Sequence, residues 1–170
     1  MAAPIEIIEE KNMGNRAVVA FVDCSNAGNF HNLDAQDKSR YLNNSLIKDK
    51  SPSVYLHWNG GRDSVEGFLT VVKKLYGGSS SCLDAKERAV LFYSVVHRAG
   101  MGGVSTEVST FKEVDADNGD NGTYWVDESF QIIDREYQRY PEQQNHPLDE
   151  FVNAVIEETV KNDALKLTEA

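Results

Sequence analysis

The chain has 170 residues, 17 of them basic and 27 acidic, for a formal net charge of −10. That length fits one domain with a core large enough to stand without disulfide or metal staples. The charge excludes a sequence-blind nucleic-acid binder, which needs a basic face to displace counterions, and no apolar run approaches the roughly 20 residues of a membrane span.

The acid is unevenly spread. From Tyr140 to Ala170 there are seven acids and two lysines, about half of the net charge. This pattern reads as a solvated helix and tail, or as a nucleic-acid mimic or a patch for a basic partner. Cys24 and Cys82 are the only cysteines and form no Cys-x-x-Cys pair. A four-cysteine zinc site is therefore impossible, and a reduced, cytoplasmic setting is expected. The first ten residues carry three glutamates and no base, unlike a secretory leader.

In chain order, residues 1–12 read as a flexible arm or a short edge strand around Ile5, Ile7 and Ile8. Residues 13–160 read as one domain. Arg-Ala-Val-Val-Ala-Phe-Val, from Arg16 to Val22, is a buried strand: short, β-branched and aromatic. Residues 24–52 are polar and read as a long connection. Val54-Tyr55-Leu56-His57-Trp58 is a second strand, on which His57 and Trp58 would project to opposite faces. A helix follows, with Asp63 as its N-cap and Glu66 closing a capping box. Its apolar stripe is Val65, Phe68, Leu69, Val72 and Leu75. Gly77 and Gly78 stop it, and 79–81 link it to the next.

A second helix starts at Asp84, with Glu87 as the reciprocal capping partner. Ala89, Phe92, Val95 and Val96 face the core, and His97 near its end meets the helix dipole. Residues 104–114 alternate as a strand does. Residues 115–122 form an Asn/Asp/Gly turn; its acids resemble a calcium loop in composition, but the EF-hand spacing is not met. Thr123-Tyr124-Trp125-Val126 and Phe130-Gln131-Ile132-Ile133 form a hairpin across 127–129. Leu148, Phe151, Val152, Val155 and Thr159 mark a last amphipathic helix, and 161–170 a frayed tail. The order predicts an α+β fold: a mostly antiparallel sheet of about five strands with about three helices on one face.

One stretch can carry chemistry: Tyr55-Leu56-His57-Trp58-Asn59-Gly60-Gly61-Arg62-Asp63-Ser64. A strand ends, two glycines permit close backbone approach, and a helix N-terminus follows. Free N–H groups and the helix dipole suit an anion there, and the Arg62 fork matches phosphate or carboxylate. Against this, Asp63 at the cap already places a negative charge where the anion would sit. The nucleotide fingerprints G-x-G-x-x-G and the Walker lysine are missing. So are a G-x-S-x-G elbow and a histidine pair at metal spacing, and His31 and His146 lie in polar loops. Nothing in the pattern asks for a cofactor or metal.

Three separated motifs carry a resemblance: Met13-Gly14-Asn15-Arg16, Tyr55-Leu56-His57-Trp58-Asn59-Gly60, and Asp120-Asn121-Gly122-Thr123-Tyr124. Over 13–135 the chain resembles small proteins encoded by phages, plasmids and some bacteria. These open with Met-Gly-Asn/Thr-Arg and carry a later Tyr-x-His-Trp-Asp/Asn-Gly. The chain departs from them by its 12-residue extension before Met13 and its acidic C-terminal helix. The resemblance implies a mobile-element origin rather than an activity. Small accessory proteins of that origin often interfere with host defence by binding a protein or a signalling nucleotide, which is the role the resemblance implies by analogy.

The expected function is binding of a small anionic ligand, a nucleotide or nucleotide-derived signal, at the strand–Gly-Gly–Arg–helix junction. Arg16, His57, Trp58, Asn59, Gly60, Gly61, Arg62 and Tyr124 are the candidate ligand-binding residues, with Trp58 or Tyr124 stacking on the ligand. One alternative is an acidic interaction module that inhibits a host protein. The other is an enzyme with His57 as general base, oriented by Asp23 or Asp63.

Overall fold

The computed structural model of the chain describes residues 15–23, 34–76, 83–103, 105–137, 141–143 and 146–168. The expected arm over 1–12, the Met13-Gly14 start, Cys24, His31, the glycine stop at 77–78, the 79–81 linker and Cys82 lie outside these residues. The elements in chain order are β1 (Ala17–Phe21), α1 (Ala35–Leu42), α2 (Ser45–Lys48), β2 (Pro52–Leu56), α3 (Arg62–Tyr76), α4 (Ala85–Ala99), β3 (Glu107–Thr110), β4 (Thr123–Val126), β5 (Ile132–Glu136) and α5 (Leu148–Thr168).

The five strands form one sheet in the order β3-β2-β1-β4-β5. β1 pairs in parallel with β4, and every other pair is antiparallel. This is the expected α+β domain with a mostly antiparallel sheet. All five residues of β1 are fully buried. A continuous apolar run is what a central strand covered on both faces requires.

The three long helices lie together on one face. Ala17, Val19, Phe21, Val54, Leu56, Tyr124 and Val126 point into them. Phe68 of α3 is the meeting point, edge-on to Phe92 of α4 at 6.0 Å and to Phe151 of α5 at 5.1 Å. Each such ring withdrawn from water contributes about 1.5–3 kcal/mol. Gly67 lets the Phe151 ring in, because a Cβ there would meet its Cδ1 at 2.5 Å. The other face carries a smaller cluster of Ala20, Val22 and Trp125, capped by Leu42 of α1 and by Phe111.

Several boundaries differ from the sequence pattern. The connection expected over 24–52 holds α1 and α2. α1 is capped by Asp34, whose carboxylate receives the Asp37 N–H at 2.8 Å; its one buried residue is Leu42, too little for a legible stripe. The strand expected over 104–114 is ordered as β3 only from Glu107 to Thr110. There the Glu113 carboxylate receives the Ser109 and Thr110 hydroxyls at 2.7 and 2.9 Å and turns the chain away. β5 starts at Ile132 rather than Phe130, since Asp127 Oδ1 receives the Ser129 and Gln131 N–H groups, both at 2.9 Å, in a longer turn. α5 continues to Thr168, past the tail expected from 161. No helix among the described residues is long and apolar enough to cross a membrane.

Candidate functional site

The expected junction lies where β2 gives way to α3. The backbone N–H groups of His57 and Trp58 both donate to the Gly102 carbonyl, at 3.0 and 3.2 Å. Strand alternation therefore stops at Leu56. His57 and Trp58 do not project to opposite faces; their rings meet edge to face at 5.1 Å. Trp58 is 50 % exposed and rests on Gly103. Asn59 takes a positive φ of 57° and its side-chain amide donates to the Met101 carbonyl at 2.8 Å.

The two glycines are used by the protein itself. The Gly60 N–H donates to the Asn15 carbonyl at 2.7 Å, and a Cβ on Gly60 would sit 2.6 Å from the backbone of Arg16. A Cβ on Gly61 would collide with the Gln143 carbonyl. The first helical bond of α3 runs from the Val65 N–H to the Gly61 carbonyl at 2.9 Å, so Gly61, and not Asp63, stands at the cap. Asp63 lies inside the first turn. Its Oδ2 receives the His146 N–H at 2.6 Å and its Oδ1 the Ser64 N–H at 2.8 Å. The negative charge suited to this helix N-terminus is thus supplied by the chain. The expected Asp63–Glu66 box does not form, because Glu66 turns to Arg62.

The three resemblance motifs meet at this end of the sheet, around the fully buried Asn121. Its amide nitrogen donates to Asn15 Oδ1 at 2.8 Å and to the Arg16 carbonyl at 3.1 Å, and its oxygen receives the Gln143 N–H at 3.1 Å. The preceding turn is organised by Asn118, whose Oδ1 receives the Asp120 and Gly122 N–H groups. The 115–122 turn is therefore tied internally and to β1. Asp120 is turned to Arg16, which grips it through Nε at 2.7 Å and Nη2 at 3.3 Å.

The sheet separates the candidate residues into two groups. Tyr55 is paired with Val18, whereas Tyr124 is paired with Val19, and successive strand residues face opposite ways. Arg16 lies on the Tyr55 side, with the Tyr55 ring 6.4 Å from that of His57. The hydrogen bond to Asp120 holds the Arg16 guanidinium proton above its usual range. Arg62 and Tyr124 lie on the helix side. Arg16, His57 and Arg62 thus do not share one pocket. Tyr124 is fully buried and cannot stack on a ligand as expected.

On the helix side a groove of about 470 Å³ opens between α3 and the edge strand β5, lined by Arg62, Ile132, Ile133, Asp134, Arg135 and Glu142. Arg62 Nε donates to Glu66 Oε1 at 2.8 Å, and Nη1 to Glu142 Oε1 at 3.1 Å. Burial lowers the Arg62 pKa, but the hydrogen bonds to Glu66 and Glu142 outweigh it and raise the pKa overall. Arg135 Nε donates to the Asn121 carbonyl at 2.8 Å and lies 3.8 Å from the same Glu142 oxygen. Its guanidinium carbon sits 5.8 Å from the Tyr124 ring centroid. Beneath, the Tyr124 hydroxyl is buried without a hydrogen-bond partner among the described residues. Burial first, and then the Glu142 charge, push this hydroxyl well above the usual tyrosine range.

Arg135 and Glu142 carry no sequence signal of their own. One is a charged residue on a half-buried edge strand, and the other follows Pro141 in a polar stretch. The catalytic arrangement is not assembled either. Asp23 receives Arg88 Nη2 at 2.9 Å beyond the far end of β1, about 20 Å of extended strand from Ala17, beside which β2 ends. Asp63 is engaged with His146 as described. Among the described residues no group of three or more His, Cys, Asp or Glu could hold a metal ion. Comparison with family models, with characterised proteins and with solved structures gives no match.

Proposed function

We propose that this protein binds a small anionic ligand without transforming it, in the groove between α3 and β5. The observation that carries this reading is the convergence of two guanidiniums, Arg62 and Arg135, on one open polar concavity. Guanidinium forks hold carboxylates and phosphates through charge-assisted bonds. The site is displaced from the glycine junction to its flank: Arg62 is retained, while Gly60 and Gly61 support the backbone. No aromatic residue lines the groove, so the ligand's charged group, rather than a nucleobase, is what the groove reads. The accessory role implied by the resemblance is part of this proposal.

A calorimetric screen of small carboxylates and phosphates tests it. Arg62→Ala should weaken binding by about 1.5–3 kcal/mol, the worth of a charge-assisted hydrogen bond. Unchanged affinity would sink the idea.

A second reading, an acidic interaction module, is favoured by α5. Leu148, Ile156 and Val160 are exposed among Asp149, Glu150, Glu157 and Glu158. Steering by that charge to a basic partner slows association as salt screens it. An on-rate for a basic host protein that stays flat between low and high ionic strength counts against this reading.

A further inference from the structure

The groove is not vacant of anions. The Glu142 carboxylate already sits between Arg62 and Arg135, on a side chain 22 % exposed. Around it the formal charges cancel: Arg62 and Arg135 against Glu66 and Glu142. Glu142 is the replaceable member. Its bond is to an Arg62 that keeps Glu66 as a second partner, and partly exposed ion pairs of this kind are weak. Swinging the Glu142 side chain to solvent leaves the lining positive. A second observation points the same way: the Tyr124 hydroxyl is buried, lacks an acceptor among the described residues, and lies in the field of Glu142, Arg135 and Arg62.

We infer that Glu142 is an internal stand-in for the ligand: it fills the place that the carboxylate of a bound molecule takes between Arg62 and Arg135, and its displacement is the step that opens the site. This rests on the reading of the groove as an anion site and names the class of anion and the control. The resident group is a planar, singly charged carboxylate. A phosphate would bring a second charge beside Glu66, which bonds Arg62 and flanks the same groove. A carboxylate matches the arginine donors without that repulsion.

The test titrates sodium acetate, and separately inorganic phosphate, into isotopically labelled full-length protein at constant ionic strength. The Arg62 and Arg135 Nε–H resonances are followed in wild type, Glu142→Ala and Glu142→Gln. Both variants should take acetate about two- to fivefold more tightly than wild type, since each removes the competing charge. Glu142→Gln retains the side-chain volume should the alanine variant fold poorly. Adding Arg62→Gln to either variant should abolish the saturable shift. Equal acetate affinity in wild type and both variants would overturn the stand-in while leaving the anion site. Saturation by phosphate but not by acetate would overturn the carboxylate class alone. No saturable shift at Arg62 with either anion in any variant would overturn the site and the stand-in together.

Discussion

A phenol hydroxyl withdrawn from water and given no acceptor costs free energy. Tyr124 is such a residue, fully buried and without a hydrogen-bond partner among the described residues. Replacing it with phenylalanine keeps the ring in the helix-side core and removes the hydroxyl. At pH 7 Tyr124→Phe should match wild type in urea denaturation or exceed it by about 1 kcal/mol. The sign of the pH effect follows from the raised value. Burial first, and Glu142 second, hold the proton on the folded protein, whereas the unfolded chain releases it near pH 10. The stability tied to this proton is therefore fully present below about pH 10 and is lost as pH rises through the folded value, at up to about 1.4 kcal/mol per unit. Wild type should lose stability more steeply than Tyr124→Phe between about pH 10 and 12. Parallel curves for the two proteins would show that the hydroxyl finds an acceptor.

At the scale of elements, the same sequence signal had two outcomes. Asp84-x-x-Glu87 and Asp63-x-x-Glu66 share the capping-box spacing. The first forms in full, with Glu87 N–H to Asp84 Oδ1 at 2.8 Å and Asp84 N–H to Glu87 Oε2 at 2.9 Å. At the second, Gly61 lets the chain enter the helix earlier, Asp63 is drawn to the distant His146 N–H, and Glu66 pairs with Arg62 one turn back. Local spacing names a cap only where no other partner competes for its groups. The strands β1, β2 and β4 were legible because their apolar runs leave little alternative. α1 was not, because one buried leucine sets no period. β3 was overdrawn, because alternation in 104–114 does not disclose that Glu113 ends the strand.

At the scale of the molecule, the sequence held the pieces of the site but not their assembly. Arg62 was legible from the turn before a helix. Arg135 and Glu142 were not, since what makes them a site is a meeting of β5, α3 and 141–143 that no local pattern encodes. The same holds for Asn15, Arg16, Gly60 and Asn121, which lie far apart in sequence and meet where β1 and β4 begin. Asn121 joins them through its side-chain amide, which bonds Asn15 and Arg16 on one side and Gln143 on the other, while its backbone carbonyl receives Arg135 Nε. Asn121→Ala would leave the Gln143 N–H and the Asn15 side chain short of partners in a half-buried setting. Each such orphan costs about 1–3 kcal/mol, so a loss of about 2–4 kcal/mol is expected in urea denaturation. β1 and β4 are the central parallel pair, so loosening their shared end should weaken the whole sheet. The transition should shift to lower urea with its slope kept. A loss below about 0.5 kcal/mol, the size of an ordinary surface substitution, would mean that the segments hold their places independently.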